Sequence, residues 1–277
     1  MIKKKIGTML VIVFLSLFCM VNLFPFINIL LNSFRLHEDI IRQPLSLDFS
    51  KYVFLYNYIF ANKHADIFRS VFNGVLASFL TIISAVLLGT ISAYALTFIK
   101  IKYSGVVMTF LVAGYFIPPG ALTINAFLFL KDLHLLNSFA GLTLVFVSVN
   151  IPITLILLTG YMKTIPISII EAAKVDGANH FVIFRRIVLP MCKPILVTLI
   201  ILLFLWTYRD YMWPLTIMSR PAKRTIAVAL STFVGDRQLE LGAMNAAVVI
   251  SIIPIITAFI VLKDKIMSGM AAGAIKE

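Results

Sequence analysis

Residues 70–99 read SVFNGVLASFLTIISAVLLGTISAYALTFI, without one charged side chain between Arg69 and Lys100. About 20 apolar residues are enough for a helix to cross the hydrocarbon core of a bilayer, which is roughly 30 Å thick. The stretch is longer than this minimum and is bounded by a cation at each end. It therefore predicts a transmembrane helix.

The whole chain has the same character. Of its 277 residues, 61% are hydrophobic and only 13% are charged, and the mean hydropathy is +1.01. Because a soluble domain carries about 25% charged residues, we expect an integral membrane protein. The net charge of +12 is attributed to basic residues that flank the spans, not to a nucleic-acid partner. Cys19 and Cys192 lack metal-ligand spacing, which predicts small buried apolar residues and no metal site.

Further apolar runs bring the number of predicted spans to six. The weakest, Pro194 to Tyr208, gives only about 22 Å and needs Lys193 and Arg209 to reach the two interfaces. The first run is longer than the apolar core of a signal peptide and no small-residue cleavage site follows it, so an uncleaved helix is expected. We predict one transmembrane domain over residues 1–277, with spans at about 9–31, 71–99, 104–130, 135–161, 193–216 and 241–262.

Six spans place both termini on the same side of the membrane. A cytoplasmic N-terminus leaves 13 of the 24 Lys and Arg residues inside, which is a weak positive-inside bias. The topology then has an extracytoplasmic loop at 32–69, a cytoplasmic loop at 163–192 and a cytoplasmic tail at 263–277. Aromatic residues between positions 52 and 60 alternate as in a strand, and a short interfacial helix is an equally good interpretation. This part of the loop could receive an external partner or simply pack on the helix ends.

The cytoplasmic loop carries helix signals of its own. Ser168 and Glu171 have the spacing of a capping box, and Gly177 lies where a helix of about eight residues would end in a left-handed conformation. A second helical run is expected from about Ala178 to Val188, with Pro190 ending it. Such a loop can dock another protein through its small residues, or it can rest on its own helix bundle, and physical reasoning leaves both open.

The spacing within this loop resembles a known motif. Glu171-Ala172-Ala173, then Gly177 after three residues, then Ile187-x-Leu189-Pro190 after nine more, match the signature loop of permeases from binding-protein-dependent ABC importers. The glycine-rich ending from Gly269 and the run Trp213-Pro214-Leu215 resemble the smaller permease of maltose-type sugar importers. The chain departs from that pattern at Tyr208-Arg209, where the family often has Trp-Asn.

This resemblance implies a function and a set of partners. It identifies the chain as a permease subunit of an ATP-driven sugar or oligosaccharide importer in the bacterial cytoplasmic membrane, working by alternating access. The implied partners are a second homologous permease, a dimer of ABC ATPase subunits, an extracytoplasmic solute-binding protein and membrane lipid. The chain has no G-x-x-x-x-G-K-[ST] loop, so we expect it to be no enzyme and to bind no cofactor itself. ATP and Mg would be bound by the partner ATPase.

The resemblance also places the signature loop in the cytoplasm and assigns roles to residues. The ATPase-coupling residues would be Glu171, Ala172, Ala173, Asp176, Gly177, Leu189 and Pro190. The tail would contact the ATPase through Gly269, Gly273 and Lys276. Within this scheme a short coupling helix in the loop between spans 4 and 5 enters a cleft of the ATPase, and Leu189 and Pro190 redirect the chain into the fifth span.

A substrate pathway is expected where polar and aromatic side chains lie within the spans. The candidates are Tyr94, Tyr115, Asn125, Asn150 and Thr154. For each of them a hydrogen bond between helices is the alternative interpretation. Pro118-Pro119-Gly120 is expected to break the third span, which is tolerated only beside protein or a water-filled cavity.

A self-sufficient secondary transporter or channel is the alternative function. Such proteins need ionisable residues inside the membrane for coupling. The first four predicted spans and the last one contain none, apart from His134 near the end of a span. The charge pattern therefore favours a permease that is driven by a separate subunit.

Overall fold

The computed structural model describes the backbone of residues 2–46, 48, 52–53, 55–99, 101–235 and 240–274, and their side chains except at 2–6, 235 and 264–274. This part of the chain is helical apart from turns and one isolated antiparallel bridge between Arg35 and Tyr52. The predicted all-α membrane fold is therefore confirmed. The cytoplasmic placement of the termini stays a prediction.

We number the α-helices of the described chain in sequence order. They are α1 Ile2–Asn32, α2 His37–Arg42, α3 Tyr56–Ala65, α4 Ile67–Phe98, α5 Ser104–Tyr115, α6 Pro119–Asp132, α7 Phe139–Met162, α8 Ile167–Val175, α9 His180–Ile183, α10 Leu189–Met191, α11 Lys193–Arg209, α12 Met212–Ile217, α13 Ile226–Gly235 and α14 Leu241–Ala274. A π-helical turn at Phe184–Val188 joins α9 to α10, and a 3-10 turn at Pro221–Lys223 precedes α13.

Four of these helices, α1, α4, α7 and α14, are each long and apolar enough to cross a membrane. Two bent pairs reach the same criterion only together. They are α5 with α6, bent by 100°, and the stretch His180–Met191 with α11, bent by 72°. Counting each pair as one span gives six in the described chain. The bend between α5 and α6 falls at the predicted Pro118-Pro119-Gly120 break, because Pro118 is extended and Pro119 begins the next helix.

The fifth predicted span, 193–216, is divided in the structure. Helix α11 ends at Arg209, and Asp210 adopts an extended backbone with ψ of 132°. The Asp210 carboxylate then accepts a hydrogen bond from the backbone N–H of Trp213 (3.0 Å), which starts the short helix α12. An acidic residue at this position satisfies one of the free N–H groups of a helix start. The chain therefore turns at Asp210 and does not continue as one straight helix.

The contacts divide the chain into two compact units, residues 1–68 with 229–253, and residues 69–228 with 254–277. In the first unit, residues 7–27 of α1 are exposed throughout. The loop that follows α1 is packed instead, and the Asn57 carboxamide donates to the carbonyls of Ser33 (2.9 Å) and Arg35 (2.8 Å). Residues 56–65 form helix α3, which confirms the helical interpretation of the aromatic segment over that range.

Gly242, at the start of α14, packs closely against Arg35 and Asn57 in this first unit. A Cβ at Gly242 would collide with the carbonyl oxygen of Arg35, whereas a Cβ at Gly105 meets nothing within 4 Å. Because Arg35 and Asn57 are both buried there, we expect Gly242→Ala to lower the free energy of unfolding by about 1–3 kcal/mol, the cost of overpacking. Thermal unfolding of the detergent-solubilised protein would measure this loss. Gly105→Ala is the control and should be neutral or slightly stabilising, and equal effects of the two substitutions would contradict the prediction.

Two apolar clusters hold the second unit together. One is formed by α4, α7, α11 and the polar loop between α7 and α11. The other is formed by α4, α6, α7 and α12, with Trp213 and Phe146 as its largest buried side chains. Helix α7 contributes to both clusters and is the most buried of the four long spans. Helix α7 therefore packs both against the loop that follows it and against α12, which follows the turn at Asp210.

Candidate coupling segment and substrate cavity

Residues 163–192, which we call the coupling segment, contain α8, a glycine turn, α9, the π turn and α10. Helix α8 begins at Ile167, directly after Pro166, and no side chain caps it. The predicted capping box of Ser168 and Glu171 is therefore wrong. Pro166 has a φ of −59° and occupies the N-cap position, so Ser168 already lies inside the first helical turn and cannot act as the cap.

Gly177 ends α8 as predicted. Its φ is +80°, in the left-handed region that favours glycine. The N–H of Gly177 donates to the carbonyl of Lys174 (3.0 Å), and the N–H of Ala178 donates to the carbonyl of Ala173 (2.9 Å). This pair of bonds is the Schellman motif, which satisfies the last carbonyls of a helix and reverses the chain.

Helix α8 has two different faces. Ile170 and Ala173 are buried in the cluster formed with α4, α7 and α11. The opposite face, at positions spaced three and four residues apart, is exposed and consists of Ser168, Glu171, Ala172 and Val175. Val175 is 88% exposed. A short helix that is held by one face and presents small and apolar side chains on the other is suited to dock another protein.

The second helix of the segment begins at His180, because the Asn179 side chain accepts a hydrogen bond from the N–H of Val182 (2.9 Å). Ile183 is buried, whereas Phe181 is 66% exposed and is a second exposed apolar side chain of the segment besides Val175. The exposed apolar surface of the segment therefore lies on both sides of the Gly177 turn.

Pro190 does not end this second helix, which corrects the sequence-based expectation. The Leu189 N–H donates to the carbonyl of Phe184, five residues back, in a π turn. A proline ring inside a regular helix would clash with the carbonyl four residues earlier, and the wider π turn removes that conflict. The helix continues to Met191, and the chain bends by 72° after it, at Cys192.

The structure separates the predicted coupling residues by exposure. Glu171, Ala172, Asp176, Gly177 and Pro190 are exposed, Leu189 is half-buried and Ala173 is buried. Ala173 is thus part of the packed face of α8. In the tail, Gly269 and Gly273 belong to α14 but lie where side chains are outside the described residues, and Lys276 lies outside them entirely.

A cavity of about 260 Å³ lies in the second unit, where α5, α6, α7, α11 and α12 come together. Two predicted pathway residues, Tyr115 and Asn150, line it. The other lining residues are Pro119, Phe146, Val149, Trp206, Thr207, Asp210 and Trp213. The cavity thus combines four large aromatic rings with a few polar groups, as sites for small polar molecules commonly do.

Three polar groups of this cavity can accept hydrogen bonds from a ligand. The Asn150 carboxamide donates to the carbonyl of Phe146 (2.7 Å), which leaves its oxygen available. One Asp210 oxygen accepts from the Trp213 N–H, and the second one remains. The Thr207 hydroxyl donates to the carbonyl of Leu203 (2.7 Å), so its lone pairs also remain. A ligand that donates several hydroxyl hydrogens while offering an apolar ring face matches this lining.

The remaining predicted pathway residues lie elsewhere. Asn125 lines a neighbouring cavity of about 270 Å³ between α6 and α7. Thr154 is buried and its hydroxyl donates to the carbonyl of Asn150 (2.9 Å). Tyr94 lies in the cluster with the coupling segment. Sequence reasoning missed Trp206, Thr207 and Trp213 as cavity residues, although the density of aromatic residues around Asp210 was a signal that pointed there.

Comparison with known proteins agrees with this arrangement. Residues 85–269 match the family model described as binding-protein-dependent transport system inner membrane component. The chain is 27% identical to the sulfoquinovosyl glycerol transport system permease protein of Agrobacterium fabrum, over 92% of this chain and 89% of that protein. It is 26% identical to the melibiose/raffinose/stachyose import permease protein of Bacillus subtilis, over 82% and 84% of the two chains.

A solved structure has the same fold. It is the crystal structure of a bacterial ABC transporter involved in the import of the acidic polysaccharide alginate, and one of its chains superposes with a TM-score of 0.78. The match covers 95% of this chain and 97% of that one, at 24% sequence identity. Most of the present chain therefore falls within a known arrangement of helices.

Proposed function

The chain belongs to the family of inner membrane components of binding-protein-dependent transport systems, and we propose that it is a permease subunit that conducts a sugar or oligosaccharide. The cavity lined by Asn150, Asp210 and aromatic rings is the observation that carries the choice of substrate. Hydroxyl-rich rings donate to such acceptors and place their apolar faces on aromatic side chains. The sugars and sugar derivatives transported by the two relatives support the same class of solute.

The proposal assigns energy coupling to the outer face of the coupling segment. Ala172 and Val175, together with Phe181 across the glycine turn, would enter a cleft on an ATPase dimer, and Glu171 would meet a basic side chain there. The buried face, through Ile170 and Ala173, would carry the movement of that ATPase into α4 and α7. Leu189 and Pro190 would contribute to energy coupling through the π-turn helix that leads to the bend at Cys192. The tail would contact the ATPase through Gly269, Gly273 and Lys276.

The other proposed partners follow from the same scheme. A second homologous permease would complete the translocation path, and a solute-binding protein would deliver substrate on the side opposite the coupling segment. ATP and Mg would bind to the ATPase subunits, so that this chain would contribute no catalytic group and hold no cofactor. Alternating access would then open the cavity to each side of the membrane in turn.

Reconstitution tests the proposal directly. The chain, its second permease and the ATPase dimer are placed in proteoliposomes with ATP inside and the binding protein outside, and the uptake of a panel of labelled oligosaccharides is measured. We expect uptake that needs both ATP and the binding protein. Uptake by this chain alone under an ion gradient would instead establish a secondary transporter.

Asn150→Leu tests the cavity. The substitution keeps a similar volume but removes the acceptor, so we expect the apparent KM for the transported sugar to rise about tenfold, roughly 1.4 kcal/mol of binding free energy. Asn125→Leu is the matched control, because it removes the same group from the neighbouring 270 Å³ cavity. If Asn125→Leu raises KM and Asn150→Leu does not, the substrate passes through the other cavity.

A further inference from the structure

Tyr94 joins the coupling segment to a membrane-spanning helix. Its hydroxyl oxygen lies 3.0 Å from Nδ1 of His180, the first residue of α9, and the two are hydrogen-bonded. Tyr94 belongs to α4 and is only 5% exposed. Within the described chain, no other side-chain hydrogen bond connects residues 166–191 to a spanning helix. This contact therefore joins the segment to α4 by a hydrogen bond between two side chains.

The surroundings of Tyr94 fix the position of its ring. The ring centroid lies 5.2 Å from that of Phe184 in an edge arrangement, and 5.5 Å from that of Phe98. Phe184 belongs to the π turn of the coupling segment, and Phe98 ends α4. Because the ring is enclosed by apolar groups, loss of the His180 contact would leave a polar hydroxyl without a protein partner. The hydrogen bond and the ring packing thus hold α4 and the segment in one relative position.

Helix α4 continues from this contact toward the substrate cavity. Five residues before Tyr94, Gly89 packs so closely on α7 that a Cβ there would lie 2.5 Å from Cγ2 of Thr154. The Thr154 hydroxyl donates to the carbonyl of Asn150 (2.9 Å), and Asn150 lines the 260 Å³ cavity. Closely packed helices of this kind move together and do not slide freely past each other.

We propose that Tyr94 is a positioning residue, which transmits displacement of the coupling segment to α4 through His180 and onward to the cavity through the Gly89–Thr154 contact. This inference rests on the proposed function, since it needs an ATPase that moves the segment. It also gives Tyr94 a role at the ATPase end of the protein, in place of the substrate contact expected from the sequence. The role is mechanical, because Tyr94 does not line the cavity.

Tyr94→Phe in the reconstituted transporter tests the proposal. The variant keeps the ring and its packing but lacks the hydroxyl. We expect sugar uptake per ATP hydrolysed to fall about three- to tenfold, while the rate of ATP hydrolysis and the yield of assembled complex stay at the wild-type level. Tyr161→Phe is the matched control, because Tyr161 packs on the same cluster and its hydroxyl has no hydrogen-bond partner among the described residues. It should leave the ratio unchanged.

His180 provides a second, independent set of variants. His180 is exposed, so its substitution should not affect folding even if Tyr94→Phe assembles poorly. His180→Ala should reproduce the loss in uptake per ATP, and His180→Asn, which can place an oxygen near the position of Nδ1, should restore most of it. The double variant Tyr94→Phe/His180→Ala should be no worse than either single variant, because both remove one interaction.

Two outcomes would overturn the inference. One is a wild-type ratio of uptake to hydrolysis in His180→Ala and in any Tyr94→Phe complex that assembles, and the other is a double variant whose losses multiply. Failure of the proposed function looks different, because the wild-type complex itself would then show no ATP-driven, binding-protein-dependent uptake.

Discussion

Replacing Gly177 with proline should abolish ATP-driven uptake while the spanning helices still insert into the membrane. Proline fixes φ near −65°, whereas Gly177 has a φ of +80°. The substitution also removes the N–H that donates to the Lys174 carbonyl. We expect a local cost of about 3 kcal/mol or more, which is enough to unfold the Schellman turn and move α8 relative to α9. The apolar surface that spans this turn would then no longer fit one cleft.

A graded series at the same position isolates the backbone effect. Asparagine tolerates the left-handed conformation better than other residues with a side chain, so Gly177→Asn should retain most of the uptake. Gly177→Ala should give an uptake between those of Gly177→Asn and Gly177→Pro, because the left-handed conformation costs alanine about 1–2 kcal/mol. No atom lies within 4 Å of a Cβ built at Gly177, so size alone cannot explain a loss. Uptake and ATP hydrolysis are measured on the same proteoliposomes, and full uptake by Gly177→Pro would refute the assignment of the coupling segment.

Val175→Asp should separate the permease from its ATPase without harming the permease itself. Val175 is 88% exposed, and a substitution at an exposed site away from caps and buried groups usually changes stability by less than about 0.5 kcal/mol. In a desolvated interface the same charge would be buried without a partner. We therefore expect the ATPase to bind at least about 100-fold more weakly, or roughly 2.7 kcal/mol. Phe181→Asp, across the glycine turn, should act in the same direction.

The measurement is co-purification followed by titration of the ATPase into nanodiscs that contain the two permeases. Thr164→Asp adds the same charge to an exposed position of the same loop, but not on the apolar surface at Val175 and Phe181, and should leave the affinity near that of the wild type. Comparable weakening by Thr164→Asp would indicate a general electrostatic effect. Unchanged affinity of both Val175→Asp and Phe181→Asp would exclude this surface as the docking site.

The sequence was most informative where one residue type has one physical consequence. Long charge-free runs predict spanning helices because a bilayer leaves few alternatives. Pro118-Pro119-Gly120 predicts a break, and Gly177 predicts a left-handed turn, because the backbone of these residues is restricted or uniquely free. The break and the left-handed turn are confirmed, and four of the apolar runs form single helices long enough to span, whereas 193–216 is divided at Asp210.

Local rules failed where two of them competed. Ser168 and Glu171 have capping-box spacing, but Pro166 occupies the N-cap position, so the helix already begins at Ile167. Pro190 normally ends a helix, but the π turn before it removes the clash. Neither the helix start at Ile167 nor the π turn is specified by the local sequence, because each depends on how the segment packs against the buried cluster of α4, α7 and α11.

The sequence by itself determined that this protein is a helical membrane protein with a helix–turn–helix loop after α7, because hydropathy and backbone restriction are local properties. Only the tertiary structure decided which side of α8 is free, with Ala172 exposed and its neighbour Ala173 buried. It also brought Trp206, Asp210 and Asn150 around one cavity and placed Tyr94 against His180. These pairings join residues that are distant along the chain. They follow from the packing of whole helices, which no single stretch of sequence specifies.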